Sequence, residues 1–240
     1  MNKIIAIDGE SYCGKSTIST ELSRLFGCIY INTGHMYRAV AFKCLEESIN
    51  VEDHSSILST AKCLAIKFKL INNQSKTIVN GKDLSNLLYN PKIISYASKI
   101  AQIPDLRDYL TSIQRSYPKN KMIIFEGRDI GTIVFPEARW KVFITASKKI
   151  RAKRMKKVLV KKYPDKIFLL KNLVAEINLL DNRDYKRKVA PLKKAPDAII
   201  YDNSDSPSEL QDAYIIQYYI NHKSEIISNA SILFTGKKDS

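Results

Sequence analysis

The sequence predicts an α/β fold in three layers, a parallel sheet with helices on both faces, interrupted by a small β-rich insertion. Three observations carry that expectation. The apolar run Ile4-Ile5-Ala6-Ile7 leads directly into Gly9-Glu10-Ser11-Tyr12-Cys13-Gly14-Lys15-Ser16-Thr17, which satisfies the phosphate-loop pattern G-x-x-x-x-G-K-[ST] in the strand, loop and helix setting it requires. Further short apolar runs at Cys28–Ile31, Lys121–Phe125, Trp140–Ile144 and Ala198–Tyr201 alternate with segments of helical period. Between Leu64 and Val79 the period drops to two, so paired strands break the alternation there.

The loop dictates the first chemistry. Backbone N–H groups from Gly9 to Thr17 turn inward toward phosphate oxygens, and the positive end of the helix that follows adds to the attraction. Lys15 is expected to reach the β and γ phosphates, and Ser16 to hold Mg²⁺. A glycine turn that merely joins a strand to a helix meets the same pattern, but the flanking context favours a nucleoside triphosphate site.

The first helix begins at Gly14-Lys15 and runs to about Leu25, because Ile18, Leu22 and Leu25 fall at helical spacing and Gly27 supplies a stop. A strand at Cys28–Ile31 then meets Asn32-Thr33-Gly34-His35-Met36-Tyr37-Arg38, which opens a helix amphipathic through Val40, Ala41, Cys44 and Leu45. Thr33 and Arg38 thus stand at the carboxyl end of a parallel strand, where open α/β sheets place ligands. His35 reads as a neutral histidine of the cap region or surface, since neither His54 nor His222 stands at metal-ligand spacing from it. Ala65–Leu70 and Thr77–Val79 are strands around the polar turn Asn72-Asn73-Gln74-Ser75, and Asn80-Gly81 signals a second tight hairpin.

Pro91 to Tyr117 is helical, with Ile94, Ala97, Ile100 and Ala101 on one face and a break at Pro104. Ser98 and Arg107 lie in this stretch, where solvation explains either one alone as well as binding does. The strand at Lys121–Phe125 ends in Glu126-Gly127-Arg128-Asp129-Ile130-Gly131. An acid, a glycine and an Arg-Asp pair at a strand end resemble a binding turn more than a connector, although the pair could also neutralise itself on the surface. Ser147 is a natural N-cap for the basic helix from Lys148. Ile167, Leu170, Val174 and Ile177 repeat at helical spacing and lead into Asp181-Asn182-Arg183-Asp184-Tyr185-Lys186-Arg187. If the helix continues, Arg183 and Arg187 share a face and repel unless an anion lies between them, so phosphate binding is preferred to solvation. After the strand at Ala198–Tyr201, Ser206-Pro207-Ser208-Glu209 supplies an N-cap, a first-turn proline and a capping glutamate for the last helix. Residues beyond about Ser228 are expected to fray.

At 240 residues, with 45% hydrophobic and 26% charged side chains, the chain is long enough for one α/β domain with insertions and has no disordered signature. The formal charge of +15, from 39 Lys plus Arg against 24 Asp plus Glu, suits an anionic partner. Much of the surplus sits in Lys148, Lys149, Lys153, Lys156, Lys157, Lys161 and Lys162, whose plain reading is a solvated helix face. Charge alone therefore does not choose among nucleotide, nucleic acid and acidic membrane. Cys13, Cys28, Cys44 and Cys63 lack C-x-x-C spacing and read as reduced and unliganded. The amino terminus enters a strand at once and no apolar stretch reaches membrane-span length, so a soluble, cytoplasmic protein without a membrane partner is expected.

With these pieces assembled, the chain resembles the bacterial cytidylate kinases, members of the nucleoside monophosphate kinase group of P-loop proteins. The resemblance covers residues 1 to about 220 and rests on four motifs: Gly9–Thr17, Asn32–Arg38, Glu126-Gly127-Arg128-Asp129-Ile130-Gly131-Thr132-Ile133-Val134-Phe135-Pro136, and Arg183-Asp184 followed by Arg187-Lys188-Val189-Ala190-Pro191-Leu192. The last two are far more specific than the phosphate loop. The resemblance implies a P-loop NTPase-type core at 1–60, 91–150 and 191–228, a monophosphate-binding insertion at 61–90, a helical lid at 151–190 and a tail at 229–240. It implies transfer of the γ-phosphoryl group of ATP to CMP or dCMP with Mg²⁺; a monomer without a nucleic-acid partner is expected.

By the family's pattern Arg38, Arg128 and Arg187 hold the acceptor phosphate beside Thr33, while Ser98, Arg107 and Asp129 read cytosine and Asp184 contacts the sugar. A carboxylate accepts from the exocyclic amine of cytosine and an arginine donates to its carbonyl, so Asp129 would disfavour UMP. Lys15, Arg154, Arg183 and Arg187 would carry catalysis by neutralising charge as the lid closes. Four positions depart from the pattern. Tyr12 stands at a usual glycine, Asn32 at a usual aspartate and Met155 at one of a pair of lid arginines. Leu180 stands at a usual arginine near the sugar, which leaves ribose against deoxyribose preference open. The competing readings are a P-loop kinase with a UMP, AMP or dTMP acceptor, and an NTP-controlled nucleic-acid-binding switch, against which no aromatic-studded basic groove is seen.

Overall fold

Strand β1 (Ile4–Gly9) is buried at every position, as a strand covered by helices on both faces must be. In the computed structural model, which describes residues 3–72, 74–206, 208–227 and 234–235, it leads through the loop into α1 (Lys15–Phe26), which Gly27 ends in the left-handed conformation. There follow β2 (Ile29–Asn32), α2 (Thr33–Glu46), α3 (His54–Lys62) and the hairpin strands β3 (Ile66–Ile71), β4 (Gln74–Val79) and β5 (Lys82–Asp83). Then come α4 (Pro91–Ile100), α5 (Pro104–Arg115), β6 (Ile123–Glu126), β7 (Trp140–Thr145), α6 (Lys148–Lys162), α7 (Leu170–Lys186), β8 (Ile199–Asp202), α8 (Glu209–Ile227) and β9 (Phe234–Thr235).

The main sheet has the order β2-β6-β1-β7-β8-β9 and is parallel throughout. Its two faces bury separate apolar clusters, one shared with α1 and α8, the other with α2 to α5. The antiparallel sheet β3-β4-β5 is the expected insertion. It is not an independent body: Ile66, Phe68 and Val79 join the same cluster as Ile4, Ile31 and Phe125. Helices α6 and α7 pack on each other through a third cluster.

Several expectations need correction in detail. Helix α3 was not anticipated, although Asp53 caps it by accepting from the Ser56 N–H at 3.0 Å and Ile57 and Ala61 give it a buried face. On α4 Ala97 and Ile100 face the core as expected, but Ile93 takes the place of Ile94, which is half-buried beside the cleft. Ser147 occupies the N-cap of α6 without a side-chain cap bond; its N–H donates to Ser204 Oγ instead. Ile167 precedes α7 and is 91% exposed. At α8 the capping hydroxyl is Ser208, which accepts from the Gln211 N–H, whereas Ser206 donates to Asp212. Asn73, Pro207, the Glu209 side chain and the tail residues around Phe234–Thr235 lie outside the described residues; those two themselves pair with β8.

Candidate active site

The site forms where β2, β6 and β1 end side by side. Register places Ile7 beside Glu126 and Glu126 beside Asn32, so the loop after β1, the turn after β6 and the start of α2 converge at one edge. The resulting cleft has a volume of about 480 Å³. Gly9 is required there, since a Cβ on it would lie 1.9 Å from the Ile144 carbonyl oxygen.

On the donor side Lys15 is buried, with its ammonium donating to the Glu10 carbonyl and 3.6 Å from Cys13 Sγ. Burial, with the charge of Arg128 second, lowers its pKa. Ser16 Oγ donates to Glu126 Oε1 at 3.0 Å. The other oxygen of Glu126 accepts from Tyr30 and from Asn32 Nδ2, so a buried carboxylate faces the loop hydroxyl under tight control. A hydroxyl beside a carboxylate at a phosphate loop suits a hard divalent cation that draws its remaining ligands from phosphate and water. Among the described residues no group of three or more His, Cys, Asp or Glu side chains forms a closed metal cage.

On the acceptor side the Arg-Asp turn does not pair with itself. Arg128 Nε donates to Asp184 Oδ2 at 2.7 Å, and its Nη2 to Ser11 Oγ at 3.0 Å. Asp129 lies between two buried guanidinium groups, those of Arg107 and Arg187, the latter at 3.3 Å. Arg107 is thereby buried rather than solvated, and Ser98 lines the cleft next to it. Thr33 Oγ1 donates to the Glu126 carbonyl at 2.8 Å. Arg38 lies over the Tyr89 ring, 5.3 Å from its centroid. The buried Nη1 of Arg38 makes no hydrogen bond, and an uncompensated donor of that kind asks for an anionic acceptor; Arg187 Nη2 also makes none but keeps its ion pair with Asp129.

The arginines expected from a lid separate. Arg154 Nη1 donates to the Cys13 carbonyl and its Nη2 to that of Asn203, which sets it directly over the donor loop. Helix α7 stops at Lys186, and Arg187 turns into extended backbone. Arg183 and Arg187 therefore do not share a helical face as expected: Arg187 lines the cleft, and Arg183 is not among its lining residues. Leu180 and Met155 line the cleft as apolar wall.

Three side chains escaped the sequence reading. Arg151, 1% exposed, donates to Asp181 Oδ2 at 2.7 Å and to the Ser11 carbonyl at 3.2 Å, joining both lid helices to the loop. Its signal was an arginine in the buried stripe Arg151, Ala152, Met155, Leu159, a place that demands a partner carboxylate. Asp8 accepts from the Ile130 and Gly131 N–H groups at 2.9 and 2.7 Å, so the last side chain before the loop anchors the turn that presents Arg128 and Asp129. Burial pushes its pKa up to about 7 against those two bonds. Glu126, noted only as the acid of a turn, is the carboxylate at Ser16. His35 is buried rather than at the surface, bonded to Thr77 Oγ1 at 2.8 Å, and burial with the charge of Arg38 holds its pKa down to about 3.

A protein-family model described as "Cytidylate kinase" matches residues 5–219. Curated relatives carry the same description. The one from Thermosipho melanesiensis is 42% identical over 201 residues, covering 84% of this chain and 89% of the relative. That from Caldicellulosiruptor bescii is 37% identical over 228 residues, covering 94% and 100%. A third, from Clostridium botulinum, is 40% identical over 205 residues, covering 85% and 92%.

Proposed function

The chain belongs to the cytidylate kinase family, and from that premise we propose that its cleft seats ATP on the donor loop and CMP or dCMP against Arg38, Arg128 and Arg187. One observation supports the seating above the rest. Two separate sets of cations and N–H donors face the same cleft, Lys15 with the loop on one side, and on the other the arginines Arg38, Arg128 and Arg187, of which Arg38 keeps a buried donor without a partner. Lys15 would hold the β and γ phosphates, and Ser16 with Glu126 would hold Mg²⁺. That ion, when bound, neutralises charge on the β and γ oxygens.

The reaction forms a bond from a CMP phosphate oxygen to the γ-phosphorus and breaks the bond from that phosphorus to the β–γ bridging oxygen, giving CDP and ADP. No strong base is needed, because alignment and charge neutralisation supply most of the acceleration. Arg128 and Arg187 fix the acceptor phosphate, Arg154 neutralises the donor from the lid, and Asp129 with Arg107 and Ser98 selects cytosine. Asp184, held by Arg128, would contact the sugar. Arg183 enters the site only if the lid at 151–190 closes further, while residues 61–90 reach the cleft through Tyr89 and stay tied to the main core. The protein would work as a cytoplasmic monomer on free nucleotides; among the described residues no helix is long and apolar enough to cross a membrane.

The test is ADP release from ATP across CMP, dCMP, UMP, AMP and dTMP. Cytidine nucleotides should lead the series; preference for any other acceptor would refute the assignment. Asp8→Asn tests how the turn is set. Asparagine keeps the size but offers an N–H where one backbone donor now finds an oxygen, so the CMP KM is expected to rise about tenfold, the worth of one buried charged hydrogen bond. An unchanged KM, measured by steady-state kinetics at saturating ATP, would show that the turn holds itself.

A further inference from the structure

Ala152, Met155 and Leu159 of α6 and Leu173 and Ile177 of α7 form an apolar cluster separate from the two that flank the main sheet. Tyr163, Phe168, Leu170 and Val174 edge it, and all of these belong to the α6–α7 hairpin. Among the described residues one side chain from elsewhere in the chain packs on this cluster, and it is Tyr12 of the donor loop. Its backbone stands at φ +59°, in the left-handed region that a bulky L residue seldom adopts.

The neighbours of Tyr12 are gripped by the same hairpin through polar contacts. Glu10 Oε1 accepts from the Tyr185 hydroxyl at 3.3 Å. The Ser11 N–H donates to Asp181 Oδ1 at 3.4 Å, and the Ser11 carbonyl accepts from Arg151 Nη1 at 3.2 Å. The Cys13 carbonyl accepts from Arg154 Nη1 at 3.0 Å. When the hairpin lifts, each of these bonds is exchanged for one to water, which recovers part of its worth. A ring withdrawn from an apolar cluster has no such replacement.

We propose that Tyr12 is the latch of the lid, a positioning residue whose ring seats between α6 and α7 and holds them in register over the donor phosphates. Closure then depends on the loop's own conformation, and water is kept from the transferred phosphoryl group. The inference rests on the kinase reading for the reaction, but not on CMP being the acceptor.

Tyr12→Gly removes the ring and relieves the left-handed backbone, so the variant folds. Three readouts are compared with the unsubstituted protein and with Tyr12→Phe, which keeps the ring: ATP hydrolysis without acceptor, phosphoryl transfer to CMP, and protection of the α6 lysines from trypsin by a non-hydrolysable ATP analogue. For Tyr12→Gly the ratio of hydrolysis to transfer is expected to rise about tenfold, the worth of one aromatic seat, with loss of protection. Tyr12→Phe is expected to keep both the ratio and the protection close to those of the unsubstituted protein. An unchanged ratio and unchanged protection in Tyr12→Gly would overturn the latch, as would a Tyr12→Phe variant as uncoupled as Tyr12→Gly. If CMP is not the acceptor, the transfer arm fails in the unsubstituted protein, while hydrolysis and protection still report on the lid.

Discussion

Arg154→Ala is expected to lower kcat by on the order of a hundredfold, the usual loss for one preorganised donor to a charged transition state, while the CMP KM moves little. The guanidinium bridges the Cys13 and Asn203 carbonyls beside the loop, which on the proposed reading sets it next to the transferred phosphate. Only interactions stronger in the transition state than in the ground state speed the chemical step, and the proposed closure of Arg154 over the γ phosphate is of that kind. Steady-state rates over a CMP titration at saturating ATP check this. A kcat within threefold of the parent would make Arg154 a clasp between loop and lid and no more.

Arg128→Ala carries the second large effect, on the acceptor side. Arg128 spends its Nε on Asp184 and its Nη2 on Ser11, so it ties α7 to the phosphate loop, and on the proposed reading its remaining donors face the acceptor phosphate. Removing it leaves Asp184, itself largely buried, with the more distant Arg187 at 3.9 Å as its ion-pair partner among the described residues. The CMP KM is expected to rise by at least about tenfold and kcat to fall as well, because a misplaced acceptor loses alignment along with affinity. The ATP dissociation constant should change by much less than the CMP KM, since Arg128 reaches the donor loop through a single hydrogen bond, from its guanidinium to the Ser11 hydroxyl. Equal losses for both nucleotides, read by titration calorimetry and kinetics on the same variant, would place Arg128 in the framework of the loop instead.

What the sequence disclosed, and what it withheld, divides along physical lines. The donor loop, the strands and the acceptor turn are local: a glycine pattern after an apolar run, or Glu126 to Gly131 after another, carries its own context. Pairings across the chain were not legible. Asp129 was a neighbour of Arg128 in sequence, but the turn sends the two apart, to Arg107 and Arg187 on one side and Asp184 on the other. Arg183 and Arg187 looked like one face because nothing local announced that α7 stops at Lys186; the bend comes from the chain beyond, where the Leu192 N–H returns to the Asp184 carbonyl. Asp8 and Arg151 were readable as charged residues inside apolar stripes, a signal for a buried partner though not for which one. The insertion looked separate because its period differs, whereas burial joins it to the main core.

Two phosphate-binding cradles that face each other across one cleft should accept a single molecule carrying both nucleotides. The direct measurement is calorimetric titration with adenosine and cytidine joined 5′ to 5′ by five phosphates. The two-cradle account predicts a dissociation constant at least about a hundredfold below those of ATP and CMP, because the second nucleotide binds as a tethered group, with most of that gain lost in Arg128→Ala. An affinity no better than that of ATP alone would mean that the donor loop and the arginine cluster do not serve one reaction.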